Sequence, residues 1–210
     1  LLADEMRLGK TPQAILAAKE LGAERVCVVC PAIAVPQWKE EFKRWWQPRY
    51  AEVLSYDAAR NLHPRWLEYD VGIVDECHFA KNPEAQRTKA IFGKGGLAWH
   101  TKRLWLLSGT PATKHAGELW PMLRAFGITP LSYWQFCQRY CTYDWTGTKI
   151  TGTKQSLVPE VKAMLRQIML RRTRREVAPE MPDIAFEFLA VDPVSRVDLP
   201  GTMAAYAEAG

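Results

Sequence analysis

Hydrophobic and polar positions along the first half of the chain switch between two periods. Thr11 to Leu21 has apolar residues at helical spacing, with Pro12 in the first turn and Gly22 just past the end, the usual start and stop marks of a helix. Arg25–Cys30 is a short β-branched run and predicts a strand. Pro36–Trp46 returns to helical spacing through Trp38, Phe42 and Trp45 or Trp46. A short strand is expected near Val53–Ser55, and Val71–Val74 is an apolar strand that runs into Asp75 and Glu76. A helix over about Pro83–Phe92 precedes a further strand, Arg103–Leu107, which ends at Ser108-Gly109-Thr110-Pro111. Strands alternating with helices predict an α/β fold, an open parallel sheet covered on both faces. Right-handed crossovers place the C-terminal ends of such strands on one edge, where ligands bind.

After Pro111 the pattern changes. Gly117–Phe126, Tyr133–Tyr140 and Val158–Arg171 are helical candidates, and Thr142–Gln155, with little apolar periodicity, is expected to be an exposed loop. Ile184–Val191 predicts a strand leading out of the domain, and the tail from Asp192 carries little pattern. The expected organisation is one lobe over 1–190, mainly helical over 112–180, with 191–210 as the start of a linker. No internal repeat or low-complexity segment is present.

Composition narrows the classes. A net charge of +5 and a pI near 9.0 favour an anionic partner, though mildly. No apolar run approaches the roughly 18–20 residues of a membrane span, and the acidic start Leu1-Leu2-Ala3-Asp4-Glu5 lacks the basic region of a signal peptide. Neither membrane nor secretion is expected. Five cysteines, an odd and sparse set, point to reduced thiols and an intracellular location. Cys27 and Cys30 form a C-x-x-C inside a buried-strand pattern, which favours core packing over metal or redox chemistry. The nine tryptophans are expected mostly to pack the core.

Three segments bear chemistry. Gly9-Lys10-Thr11 opens a helix, whose free N–H groups and dipole attract phosphate. Lys10 would reach the β- and γ-phosphates, and the Thr11 hydroxyl could ligate Mg²⁺. Asp75-Glu76-Cys77-His78 closes a buried strand; Asp75 would hold Mg²⁺ and Glu76 would polarise the attacking water. Ser108-Gly109-Thr110-Pro111 puts hydroxyls on the same expected edge, able to sense the γ-phosphate. Each motif alone has a bland alternative, a chance tripeptide or a solvated turn. Their order on one sheet edge selects a nucleotide site.

Together these segments resemble the first lobe of Snf2-type superfamily 2 ATPases. Leu2-Ala3-Asp4-Glu5-Met6-Arg7-Leu8-Gly9-Lys10-Thr11-Pro12-Gln13 is similar to motif I, and Val29-Cys30-Pro31 with Gln37-Trp38 and Phe42 to motif Ia. Asp75–His78 followed by Lys81-Asn82 resembles the DEAH-type motif II, and Leu107–Pro111 with Glu118-Leu119-Trp120 resembles motif III. Tyr133–Tyr140 and Met169-Leu170-Arg171-Arg172 through Met181-Pro182 are most similar to the HARP-like annealing-helicase branch. The resemblance implies a RecA-like, P-loop NTPase lobe with a helical insertion after motif III. It implies ATP and Mg²⁺ as cofactors, Asp4, Glu5, Met6, Arg7, Leu8, Gly9, Lys10 and Thr11 as the binding loop, and Lys10, Asp75 and Glu76 as catalytic groups. His78, Ser108 and Thr110 would couple nucleotide state to DNA. Lys81, Asn82, Arg171 and Arg172 would contact its backbone, with duplex or branched DNA bound regardless of sequence. A second RecA-like lobe would supply arginine fingers, so these 210 residues alone are expected to hydrolyse ATP poorly.

Two residues depart from the family pattern: Arg7 stands where Gly is usual, and Cys77 where Ala or Gly is usual. The cluster Arg166, Arg171, Arg172, Arg174 and Arg175 is either a second DNA patch or a solvated helix end. Two rival functions stay open: another superfamily 2 motor, such as an RNA helicase or restriction-type translocase, and a DNA-binding clamp without turnover.

Overall fold

The architecture is that of a computed structural model, which describes residues 1–61, 68–112, 114–177 and 179–180. Contacts divide the chain into Leu1–Pro179 and Glu180–Gly210. The expected exit strand Ile184–Val191, the pair Met181-Pro182 and the 191–210 linker lie outside the described residues.

Strand β1 (Arg25–Cys30) is buried from Val26 to Cys30, as a β-branched run between two covered faces should be. It pairs in parallel with β2 (Tyr50–Ser55) and β3 (Tyr69–Asp75), and β3 pairs with β4 (Thr101–Leu107), giving the order β2-β1-β3-β4. The register sets Asp75 opposite Leu107. Beyond β4 the ladder continues without a full strand. Leu2 N–H donates to Leu106 O at 2.7 Å and Ser108 N–H to Leu2 O at 3.1 Å. Ala3 N–H donates to Leu170 O at 2.7 Å and Leu170 N–H to Leu1 O at 2.9 Å. The residues entering the phosphate loop are therefore held between β4 and the segment around Leu170.

Strand periodicity sorts the core into two faces. Helices α1 (Lys10–Glu20) and α2 (Val35–Trp45) bring Ile15, Ala18, Trp38 and Phe42 against Val26, Val28, Val71 and Ile73. On the other face Cys27, Val29, Val74 and Leu106 meet residues of α3 (Tyr56–Ala59), α4 (Gln86–Phe92), α5 (Trp120–Ala125) and α6 (Tyr133–Tyr140), among them Ile91, Leu123 and Phe136. Cys27 and Cys30 fall on opposite faces, so they cannot chelate one ion. Both are free thiols, and burial pushes Cys30 up to about 12.

Two expectations need correction, and one short element was not expected. Thr142–Gln155 is not a loop: β5 (Cys141–Tyr143) and β6 (Ile150–Thr153) form an antiparallel hairpin with a register shift at Thr142/Tyr143. Helix α7 (Val158–Arg166) stops short of Arg171, because the next residues leave helical pairing and Leu170 joins the sheet beside Leu2. Among the described residues one further turn, α8 (Arg174–Val177), follows. The single turn α3 had no periodic signal; Ser55 caps it by accepting from Ala58 N–H.

Candidate nucleotide site

Helix α1 begins at Gly9, whose φ of 70° is left-handed backbone that glycine adopts at no steric cost. No side chain caps this end, and its first turn holds no acid. The free N–H groups and the positive end of the dipole are therefore available to an anion. Lys10 curls over the loop, its Nζ donating to Asp4 O at 2.9 Å and Glu5 O at 3.2 Å. A methyl group added at Gly109 would lie 3.7 Å from that Nζ. The lysine thus meets the turn that follows β4.

A remote segment fixes the loop. Asp4 is wholly buried and accepts from Arg172 N–H at 2.9 Å and Arg172 Nε at 3.2 Å, while Arg172 Nη2 completes the ion pair. Burial alone would raise the Asp4 carboxyl, but the hydrogen bonds and charge of Arg172 hold it below the usual carboxylate range. Gln13 Nε2 donates to Leu8 O at 2.7 Å and its Oε1 accepts from Arg172. Glu5 N–H donates to Arg172 O at 3.0 Å, and Glu5 Oε2 accepts from Arg174 N–H at 2.8 Å. Met6 and Arg7 face solvent, Arg7 at φ 70°.

The acidic turn is held by its own neighbours. Trp38 Nε1 donates to Asp75 Oδ2 at 2.8 Å, and Glu76 N–H to Asp75 Oδ1 at 3.0 Å. Tyr56 OH donates to the carbonyls of Asp75 and Glu76 at 2.9 and 3.2 Å. Glu76 has φ 49°, which aims its side chain off the end of β3. Its Oε2 is buried without a hydrogen bond, although His78 Nδ1 lies 3.1 Å away at ion-pair distance. The same Nδ1 is 3.1 Å from Ser108 Oγ, which in turn accepts from Thr110 N–H at 3.2 Å. His78, Ser108 and Thr110 are thus brought together beside the acids.

These groups suit a triphosphate with its metal. Lys10 and the open start of α1 supply positive charge, and the unsatisfied Glu76 oxygen is an acceptor awaiting a donor such as water. Among the described residues no three His, Cys, Asp or Glu side chains are grouped to hold a metal by themselves. A magnesium ion beside Thr11 and Asp75 would take most of its oxygens from phosphates and water, its ordinary habit.

The expected DNA contacts scatter. Lys81 Nζ pairs with Glu118 Oε1 at 2.7 Å, and Lys114 N–H donates to Glu118 Oε2 at 2.9 Å. Asn82 is exposed and accepts from Glu84 N–H at 3.0 Å. Arg171 Nη1 reaches Gly109 O at 3.4 Å. Arg172 is turned inward to Asp4 and leaves the arginine cluster, while Arg166 ends α7 and Arg174 and Arg175 lie in α8. Sequence reasoning missed Trp38 and Tyr56 as holders of the acids, and Arg172, Arg174 and Gln13 as holders of the loop. Trp38 stands at core spacing, and nothing local marks a partner 168 residues away.

A parallel sheet with a Lys-bearing loop and an acidic turn at one edge, on the two sides of β4, defines a RecA-like lobe of the superfamily 2 kind. The SNF2-related domain model matches residues 1–67 and 59–195, and the chain belongs to that family as a Snf2-type ATPase/helicase domain. It is 31% identical to the SWI/SNF-related matrix-associated actin-dependent regulator of chromatin subfamily A-like protein 1 of Xenopus laevis, over 92% of this chain and 22% of that protein. It is 28% identical to the DNA annealing helicase and endonuclease ZRANB3 of Bos taurus, over 87% of this chain and 20% of that protein. The chain therefore spans about a fifth of the length of these relatives. The Sulfolobus solfataricus SWI2/SNF2 ATPase core in complex with dsDNA shares the fold, with a TM-score of 0.66 and 23% identity over 84% of this chain and 40% of that one. Among the described residues no helix is long and apolar enough to cross a membrane.

Proposed function

We propose that this chain is the first lobe of an ATP-driven motor that moves along duplex DNA and alters its pairing or its bound proteins. The observation that carries the reading is the meeting of Lys10 with the Gly109 turn, one strand from Asp75 and Glu76. Lys10 would bind the β- and γ-phosphates, Thr11 and Asp75 would hold Mg²⁺, and Glu76 would take a proton from the attacking water. His78, between Glu76 and Ser108, would pass the state of the γ-phosphate to Thr110 and the turn after β4. Lys81, Asn82 and Arg171 would touch the DNA backbone, and Arg172 would serve the phosphate loop. A second RecA-like lobe would add the arginine finger, typically on the order of 10³–10⁵ in kcat. The place of such a protein is inside the cell, with its DNA.

The test compares ATP hydrolysis by the full-length protein, second lobe included, with duplex DNA, single strands and RNA. Duplex should stimulate most; strongest stimulation by RNA would move the chain to the RNA helicases. Lys10→Ala and Glu76→Gln should each cut turnover at least about a hundredfold, the first by removing a positive charge from the phosphates and the second by removing the base. A clamp would keep its DNA binding and its effect through both changes, and that outcome would replace the motor.

A further inference from the structure

The hairpin absent from the expected elements presents a tryptophan with no role in the fold. Trp145 is 97% exposed at the turn between β5 and β6. The turn itself is hydrogen-bonded. Asp144 Oδ1 accepts from Thr146 Oγ1 at 2.9 Å, Thr148 N–H at 3.1 Å and Lys149 N–H at 3.2 Å, and Gly147 N–H donates to Asp144 O at 3.0 Å. The Asp144 carboxylate is consumed by those bonds, and the Thr146 hydroxyl above all holds it below its usual range. An indole in water on a hydrogen-bonded turn gains nothing from burial, but its face is free to stack.

Beside it lies an open groove of about 970 Å³, lined in part by Gly147, Thr148 and Lys149 of the same turn. Its walls include Tyr133, Trp134 and Lys114, and Trp134 is 69% exposed. Among the described residues no Asp or Glu lines it. Burial lowers the pKa of His115, so the fixed positive charges of the groove are the two lysines. Flat aromatic faces with ammonium groups and no carboxylate match one ligand chemistry: a flexible polyanion with exposed rings. Paired bases in a duplex hide those rings, and an acidic peptide lacks them. Glu118, which accepts from Lys114 N–H at the wall, also holds Lys81 three residues past His78, and Ala116 N–H donates to Thr153 Oγ1 of β6 at 2.8 Å. The groove is thereby tied to the acidic turn of the nucleotide edge.

We infer that the β5–β6 hairpin and the groove beside it bind unpaired nucleotides, with Trp145 stacking on a base and Lys114 and Lys149 facing the phosphates. This deepens the motor reading by giving it a site for the unpaired part of a substrate, and it is tested apart from hydrolysis. The 210-residue chain is titrated, by fluorescence anisotropy at one salt concentration, into labelled oligothymidine of about 20 nucleotides and a blunt duplex of about 20 base pairs. Trp145→Ala should weaken oligothymidine binding about tenfold or more, the loss expected for one stacked base, and leave duplex binding unchanged. Trp145→Phe should keep most of the affinity, and Lys149→Glu should lose it together with part of the salt dependence. Circular dichroism should not change, because Trp145 packs against nothing. Wild-type chain that does not bind oligothymidine would overturn the proposal. So would Trp145→Ala with less than a twofold effect, an equal loss on duplex, or a changed oligomeric state, which would mark the indole as a protein contact. None of these results bears on Lys10→Ala, so the motor reading fails or stands by its own experiment.

Discussion

The phosphate loop and the acidic turn lie at the same sheet edge, yet they are built in opposite ways. The loop at residues 4–9 borrows its rigidity from residues far along the chain: Arg172 grips buried Asp4, and Arg174 reaches Glu5. The acidic turn is local to the sheet, braced by Trp38 from α2 and Tyr56 from the turn after β2. Each holds one non-glycine residue in left-handed backbone, and among the described residues Arg7 and Glu76 are the two. At Glu76 the strained backbone carries the carboxylate proposed to activate water. At Arg7 the side chain goes to solvent, and nothing in the structure uses the strain. One conformational cost has a chemical return and the other has none.

Arg172→Ala should break this contrast most. Removing one member of a buried pair costs about 3–5 kcal/mol. The Arg172 side chain is 41% exposed, so the loss in denaturant unfolding should fall well below that figure and come with a raised KM for ATP. Arg172→Lys should restore little, since an ammonium cannot reproduce the forked contact. Trp38→Phe strikes the other half. It leaves Asp75 Oδ2 without its indole donor and should slow hydrolysis roughly tenfold to a hundredfold, with ATP affinity nearly kept. If it raises KM and spares kcat, Asp75 is not the group the indole positions.

Acid should separate the halves more gently. The Asp4 carboxyl is depressed in the folded state, so its stabilisation is fully present above the unfolded value near 3.9 and is lost as pH falls through the lower folded value. The stability gap between wild type and Arg172→Ala should therefore narrow as pH falls, beginning at the raised value that burial alone gives Asp4 in the variant and ending below the depressed wild-type value. A gap that widens in acid would reverse the assigned sign. The smallest effect belongs to Arg7→Gly. Relief of left-handed strain, roughly 1–2 kcal/mol, less the entropy a glycine adds to the unfolded chain, leaves a gain of about 0.5–1 kcal/mol. A loss of stability would show that the Arg7 side chain makes a contact in solution.

Legibility followed the range of the interactions. β1 and the centre of β3 were readable because they are buried and apolar, and β4 because its last four residues, Leu104–Leu107, are apolar although Lys102 and Arg103 before them are exposed. The Lys10 loop and the Asp75–Glu76 turn were readable because their residues are contiguous. The β5–β6 hairpin was not, since its strands are three and four residues long, rich in threonine, and interrupted by a register shift. The end of α7 was misjudged because Ile168 and Leu170 fit helical spacing as well as the sheet position that Leu170 takes beside Leu2. Arg172 lay in a basic cluster whose local pattern is the same whether it faces DNA or a buried aspartate.

That late join to the sheet also defines what a minimal fragment must contain. Leu1, Ala3 and Glu5 exchange main-chain hydrogen bonds with Leu170 and Arg172. A shorter derivative trimmed just after α7 would keep Lys10, Asp75 and Glu76 and still lose the scaffolding on one flank of the nucleotide cradle. Domain dissection of this lobe should therefore cut downstream of Val177, however complete the set of motifs upstream looks.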